Sequence, residues 1–106
     1  MSKYKVIDLW NERYGKCDEV RDYAGRLMKK SACGNQFSDY EPTIDHIRPI
    51  ADGGKDVKEN IVICHYKTNE EKADKFPHWK ANGLCFNAKK NSNHQNSYSI
   101  SKEGQK

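Results

Sequence analysis

Two short β-branched stretches, separated by a loop with a proline and a glycine pair, constrain the fold of this chain most strongly. The first is TIDHI at residues 43–47, and Pro49 ends it. The second is NIVIC at residues 60–64, a composition typical of strands. The loop between them contains DGG at 52–54, which suits turns that need positive φ. We therefore predict a strand, a long loop and a returning strand.

A helix is predicted directly after the second stretch. Thr68 is followed three residues later by Glu71, the spacing of a capping box, so the helix should begin near Asn69. It should end at Phe76, because Pro77 follows and the residue before a proline resists the α region. Strand, loop, strand and helix thus follow one another within one segment, residues 43–76.

An amphipathic helix is predicted near the N-terminus. Residues 4–14 place Val6, Leu9 and Trp10 at helical spacing, and Gly15 follows as a stop. We expect this helix to pack on the core.

The remaining segments are less constrained. Residues 22–34 are compatible with a short helix or with a turn after Gly25. Near the C-terminus, GLCFNAKK and NSYSIS are predicted to form a hairpin, since Phe86, Ala88, Tyr98 and Ile100 keep a two-residue alternation. The competing interpretation is a flexible tail over residues 90–106, given its polar composition. Trp79 is expected in the core rather than stacked on a base.

Length and composition limit the chain to one small domain, taken as residues 1–106. The sequence has 106 residues, of which 35% are hydrophobic and 32% charged. No apolar run approaches the roughly 20 residues that span a bilayer, and the N-terminus lacks a secretory pattern. The four cysteines lie far apart and form no CxxC pair, as expected for reduced thiols. We therefore expect a soluble, cytoplasmic protein that does not enter membranes.

The net charge of +4 lies entirely in the C-terminal third of the chain. Residues 1–75 contain 14 Lys or Arg and 14 Asp or Glu, whereas residues 76–106 contain five Lys and one Glu. This mild excess is compatible with binding to a polyanion, but it is equally common in other small domains.

Four polar residues of the 43–76 segment could act together in phosphodiester hydrolysis. A helix packed across the two strands would bring Asn69 towards Asp45, with Lys72 on the same helical face. Asp45 and the amide oxygen of Asn69 could hold one hard divalent ion, Mg²⁺ or Mn²⁺. A histidine such as His46 is largely neutral at pH 7 and could take a proton from water. With only one carboxylate at this place, a two-metal site is not favoured.

The pattern DHIRPIADGG, NIVIC and TNEEK resembles the HNH endonuclease family. The resemblance covers residues 43–76 and implies an α+β protein with a ββα-metal (His-Me finger) core. It implies His46 as general base and Asp45 and Asn69 as ligands of one divalent ion, most simply Mg²⁺. It assigns Asn60 to bracing the loop that orients His46. The implied activity is hydrolysis of phosphodiester bonds in DNA, leaving 5′-phosphate and 3′-hydroxyl ends.

Many HNH domains also carry two CxxC pairs that bind a structural zinc ion, and this chain departs from that pattern. Of the four corresponding positions, only Cys33 and His65 are ligand types, so no structural zinc is expected.

Nucleic-acid contacts are expected first from Arg48 and Lys72, which lie beside the predicted metal site. Lys55, Lys67 and Lys75 are further candidates. No recognition helix is visible, so specificity would come from a homodimer or a larger partner. Two alternatives stay open: a nuclease for RNA or single strands, and a DNA-binding module that does not cut.

Overall fold

The computed structural model describes residues 2–92 and 94–104, and within them the chain is an α+β protein, as predicted. Its three sheets are small and antiparallel, with strand orders β1-β2, β3-β4 and β5-β6-β7. None of the helices in the described residues is long and apolar enough to cross a membrane. The elements are α1 (Val6–Tyr14), β1 (Glu19–Arg21), β2 (Leu27–Lys29), β3 (Pro42–His46), β4 (Ile61–His65), α2 (Tyr66–Lys72), β5 (His78–Ala81), β6 (Leu84–Lys90) and β7 (Tyr98–Lys102).

The N-terminal helix α1 confirms the prediction from its apolar spacing. Leu9 and Trp10 are buried, and Gly15 ends the helix with φ 59°. Arg13 fastens the helix to the returning strand, because its guanidinium donates 2.8 Å to the carbonyl oxygen of Ile61 and 2.9 Å to that of Lys58. The helix therefore packs on the β3-β4 pair, as expected.

The segment that the sequence left open forms a β-hairpin, and Leu27 and Met28 lie in strand β2 rather than in a helix. The reason is the turn before them. Asp22 Oδ1 accepts hydrogen bonds from the backbone N–H groups of Ala24 (3.0 Å) and Arg26 (2.9 Å). Such side-chain bonds to the backbone favour a turn over a helix.

Strands β3 and β4 form the predicted pair, with Asp45 opposite Val62 and His46 opposite Ile61. Strand β3 begins and ends one residue earlier than predicted, and strand β4 one residue later. The loop between them contains two short 3-10 turns, Ile50–Asp52 and Lys58–Asn60. Gly53 has φ 90°, as expected for the glycine pair.

The predicted start of α2 was wrong by three residues. The helix begins at Tyr66, and its cap is His65, whose Nδ1 accepts a 3.0 Å hydrogen bond from the backbone N–H of Lys67. Thr68 and Glu71 form no capping box, because both side chains contact Arg26 instead. The helix ends at Lys72, well before Pro77.

The C-terminal segment forms the predicted hairpin, in which β6 pairs with β7 and Ala88 lies opposite Ile100. An unpredicted strand, β5, adds to the edge of β6. This sheet carries a core cluster that contains the buried side chains of Trp79 and Phe86. Trp79 is 5% exposed and donates 3.0 Å to the hydroxyl of Tyr23, so its predicted place in the core is confirmed.

Candidate active site

Asp45 is buried near the end of β3, against the last turn of α2. Its side chain is 10% exposed, and its Oδ2 lies 3.1 Å from Nζ of Lys72. Burial raises the pKa of the Asp45 carboxyl above its usual range, while the nearby ammonium group acts in the opposite direction. The predicted proximity of Lys72 to Asp45 is therefore present.

The prediction that Lys72 contacts nucleic acid does not fit the structure. The side chain is 0% exposed, and its ammonium donates 3.1 Å to the carbonyl oxygen of His46. The same ammonium lies 5.1 Å from the centroid of the Trp79 ring. An enclosed ammonium with these partners cannot reach a phosphate, so Lys72 holds β3 and α2 together instead.

His46 is the last residue of β3, and its imidazole is fixed by a residue that the sequence pattern did not predict. The Nε2 atom lies 2.8 Å from Oδ1 of Asp56, in the loop between β3 and β4. The hydroxyl of Ser2 donates 2.7 Å to the same oxygen, and the backbone N–H of Lys3 donates 2.8 Å to Oδ2. These hydrogen bonds, with that of Lys3 the largest influence, hold the pKa of the Asp56 carboxyl well below its usual range.

Asn60 fixes the two ends of that loop and is 0% exposed. Its Oδ1 accepts 2.9 Å from the backbone N–H of Arg48, and its Nδ2 donates to the carbonyl oxygens of Arg48 (3.0 Å) and Lys55 (2.9 Å). The loop closes so tightly that a Cβ at Gly54 would lie 1.8 Å from the Arg48 carbonyl oxygen. Only glycine fits there, and the contacts of Asn60 are those of a loop brace.

Asn69 lies in the middle of α2 and is bound to β3. Its Nδ2 donates 3.0 Å to Oγ1 of Thr43 and 3.3 Å to the carbonyl oxygen of Ile44. The amide nitrogen donates both bonds and thereby fixes the orientation of the side chain. The amide oxygen accepts no hydrogen bond from the described residues. Asn69 is thus tied to the residue that precedes Asp45.

A cleft of about 440 Å³ opens beside these residues. It brings together Asp45, His46 and a second carboxylate, Asp74, which follows α2 and raises the pKa of the Asp45 carboxyl further. Only one carboxylate was predicted here, and Asp74 was not expected in the cleft because the helix was predicted to continue past it. Asn69 is not among the residues that line the cleft, which are Ile44, Asp45, His46, Pro49, Ile50, Ala51, Ala73 and Asp74.

One comparison with known proteins identifies the segment that carries this cleft. The family model described as HNH endonuclease matches the chain from residue 31 to residue 75. The HNH segment contains β3, β4 and α2 entirely, and with them Asp45, His46, Asn60 and Asn69. No curated protein and no solved structure matches the chain.

HNH nucleases generally use a divalent metal ion, and the donor atoms near the cleft decide whether one fits there. Within residues 2–92 and 94–104, no three His, Cys, Asp or Glu side chains lie close enough together to hold a metal ion. Amide oxygens such as that of Asn69 fall outside this set. Asp45 Oδ2 is buried and forms an ion pair with the Lys72 ammonium at 3.1 Å, but no hydrogen bond of suitable geometry reaches it in the described residues. Carboxylate and amide oxygens are the donor types that a hard cation such as Mg²⁺ prefers.

The predicted nucleic-acid contacts of the HNH segment lie at its surface, apart from Lys72. Lys55, Lys67 and Lys75 are exposed. Arg48 is partly exposed, but its guanidinium is already held: Nε donates 2.8 Å to the carbonyl oxygen of Asp52, and NH1 donates 3.1 Å to the hydroxyl of Tyr98. Arg48 is therefore the most rigidly positioned cation of the set.

Proposed function

We propose that this protein is a metal-dependent endonuclease that hydrolyses phosphodiester bonds in DNA, with His46 as its general base. The observation that carries the proposal is the cleft of the HNH segment, lined by the Asp45 carboxylate and by an imidazole whose Nε2 is bound to Asp56. In this interpretation β3, β4 and α2 form the ββα-metal core of the family.

His46 would act on the attacking water. An imidazole held through one nitrogen keeps the other available to accept a proton. The water oxygen then bonds to phosphorus, the bond from phosphorus to the 3′-oxygen breaks, and the 3′-oxygen takes a proton from solvent. The products are a 5′-phosphate and a 3′-hydroxyl. General-base assistance of this kind contributes about 10²–10⁴-fold in rate.

Asp45 and Asn69 would hold the divalent cation, most simply one Mg²⁺, with Mn²⁺ as the alternative. Bound there, the cation would stabilise the negative charge that develops on the scissile phosphate. Asn60 would keep the loop closed so that Asp56 stays against His46. Asp74 adds negative charge to the same cleft, which favours a cation there.

Exposed cations around the HNH segment would bind the phosphate backbone of duplex DNA. The candidates are Arg48, Lys55, Lys67 and Lys75, while Lys72 is excluded by its burial. Contacts to phosphates position a nucleic acid without reading its sequence, so low specificity is expected unless a second subunit or a larger partner supplies it. We propose a cytoplasmic location, where such a substrate occurs.

The first test is cleavage of supercoiled plasmid with Mg²⁺ or Mn²⁺. Wild type should cut, and His46→Ala should lose about 10²–10⁴-fold in rate. His94→Ala is the matched control, because His94 is exposed and its side chain makes no hydrogen bond in the described structure. Excess EDTA should abolish cutting, and equal cutting by His46→Ala would overturn the assignment of the base.

Substrate comparison separates the alternatives. Faster cleavage of RNA or of single strands than of duplex DNA would point to the alternative nuclease. Salt-sensitive DNA binding without cleavage by any metal would point to a module that binds but does not cut.

A further inference from the structure

We infer that Asp56 is a positioning residue that sets the tautomer of His46, and that the N-terminal residues Ser2 and Lys3 hold Asp56 in place. This inference rests on the proposed function insofar as it assigns a catalytic purpose to the tautomer. The tautomer itself follows from contacts in the structure.

The protonation of the His46–Asp56 contact follows from the chemistry of a carboxylate. Asp56 keeps its negative charge because its pKa is held well below the usual range. An ionised carboxylate has acceptors only, so the imidazole nitrogen that faces it at 2.8 Å must carry the hydrogen. A neutral imidazole has one such hydrogen. Nε2 therefore donates to Asp56, and Nδ1 is the nitrogen left to accept a proton.

Ser2 and Lys3 hold the Asp56 carboxylate in place as an acceptor. The Ser2 hydroxyl donates 2.7 Å to Oδ1, and the backbone N–H of Lys3 donates 2.8 Å to Oδ2. Hydrogen bonds to an ionised acceptor are stronger than those between neutral groups. The pair is also substantially shielded from water, with His46 14% and Asp56 23% exposed. The N-terminal segment thus reaches across more than fifty positions of sequence to fix the carboxylate against His46.

The arrangement has a consequence for the proposed reaction. After His46 takes the proton of the attacking water on Nδ1, the ring becomes an imidazolium that faces the Asp56 carboxylate through Nε2–H. A carboxylate in this position orients the base and stabilises its protonated form without itself taking the proton.

Asp56→Asn tests the inference directly. The backbone N–H of Lys3 can only donate, so the Asn oxygen would take the place of Oδ2 and the amide nitrogen the place of Oδ1. There the amide nitrogen would donate to Nε2 of His46, and the Ser2 hydroxyl could rotate to accept. The hydrogen of the ring would then move to Nδ1, and the base would be lost. We expect kcat to fall by about 10-fold or more, up to the 10²–10⁴-fold of a general base, with KM nearly unchanged. Glu59→Gln is the matched control, an exposed carboxylate of the same loop.

The tautomer is measured independently of activity by ¹⁵N NMR of histidine-labelled protein, above the pH range in which imidazoles titrate. The chain has four histidines, so His46→Gln assigns the resonance. Wild type should show the Nε2–H tautomer and Asp56→Asn the Nδ1–H tautomer. Ser2→Ala, which removes one of the two donors, should show a mixture and a smaller loss of kcat.

The outcomes separate this inference from the proposed function. An Nδ1–H tautomer in wild type would overturn the inference without the use of any variant, so it stays testable even if Asp56→Asn does not fold. Equal kcat and equal tautomer in wild type and Asp56→Asn would also overturn it. If wild type cuts no nucleic acid, the proposed function fails, and the NMR comparison alone still decides whether Asp56 sets the tautomer.

Discussion

At the scale of single residues, the enclosed ammonium of Lys72 determines how the rest of the site is arranged. Its partners are the carboxylate of Asp45 and the carbonyl oxygen of His46, and both residues line the cleft. A buried ion pair adds little net stability, but removing one partner leaves the other charge uncompensated. Lys72 therefore couples the position of both residues to the last turn of α2.

Lys72→Met should lower the free energy of unfolding by about 3–5 kcal/mol, because it leaves the Asp45 carboxylate buried without its cation. The measurement is urea denaturation, compared with Lys75→Met, which changes an exposed lysine of the same segment. The double variant Lys72→Met with Asp45→Asn should recover part of the loss. A loss below about 1 kcal/mol, the size expected for an exposed pair, would contradict the enclosed pair.

The sequence predicted several of these residues, but only where local spacing carried the information. Lys72 lies three residues after Asn69, so helical periodicity placed it near Asp45, yet periodicity does not say whether a lysine faces solvent. Asp56 and Asp74 were missed for a related reason. Asp56 acquires its role from Ser2 and Lys3, which lie far away in sequence, and Asp74 reaches the cleft because α2 ends early.

At the scale of elements, the start of α2 depends on one side chain. His65 caps the helix through Nδ1, and its Nε2 lies 2.7 Å from the carbonyl oxygen of Asp39. The ring thus uses both nitrogens to join the helix start to the segment before β3. Histidine is not a usual cap, so the sequence pattern of Thr68 and Glu71 pointed to the wrong residue.

His65→Ala should lower the free energy of unfolding by about 0.5–2 kcal/mol, the usual cost of losing a helix cap. His65→Asn keeps a side-chain acceptor at the cap position and should recover part of that loss. Urea denaturation of the two variants and wild type decides the question. Equal stability of His65→Ala and wild type would mean that the cap contributes nothing.

Element prediction succeeded where apolar periodicity was long and failed where strands were short. Helix α1 and the strands β3, β4, β6 and β7 were predicted with small errors at their ends. Strands β1 and β2 are three residues each, too short for an alternation to show. They are fixed by the Asp22 turn and by pairing, which the sequence pattern does not reveal.

At the scale of the whole molecule, the proposed active site depends on contacts between distant parts of the chain. Ser2 and Lys3 contact Asp56, Arg13 contacts Ile61, and Arg48 contacts Tyr98. The contacts of Ser2 and Lys3 with Asp56 link the N-terminal segment to the loop between β3 and β4. They make the stability of the fold sensitive to the charge of Asp56.

The stabilising effect of Asp56 should depend on pH. Because its folded-state pKa lies below that of an unfolded chain, its contribution is present above the ordinary carboxyl range and is lost as the pH falls through the folded-state pKa. Wild type should therefore exceed Asp56→Asn in unfolding free energy at about pH 5, and the difference should shrink towards about pH 2. Urea denaturation across this range measures it, with Glu59→Gln as the control. A difference that grows on acidification would contradict the sign.

The brace formed by Asn60 has a consequence for the integrity of the chain. Asn60 binds both the N–H and the carbonyl oxygen of Arg48, and the backbone N–H of Ile47 donates 2.8 Å to the carbonyl oxygen of Asn60. The exposed run of the loop, residues 50–53, lies between these attachment points. A protease that nicks the chain there would leave two pieces that remain joined through Asn60 and the β3-β4 pairing. Strands β3 and β4 would stay paired after the covalent connection is broken, so Asp45 and His46 would keep their places.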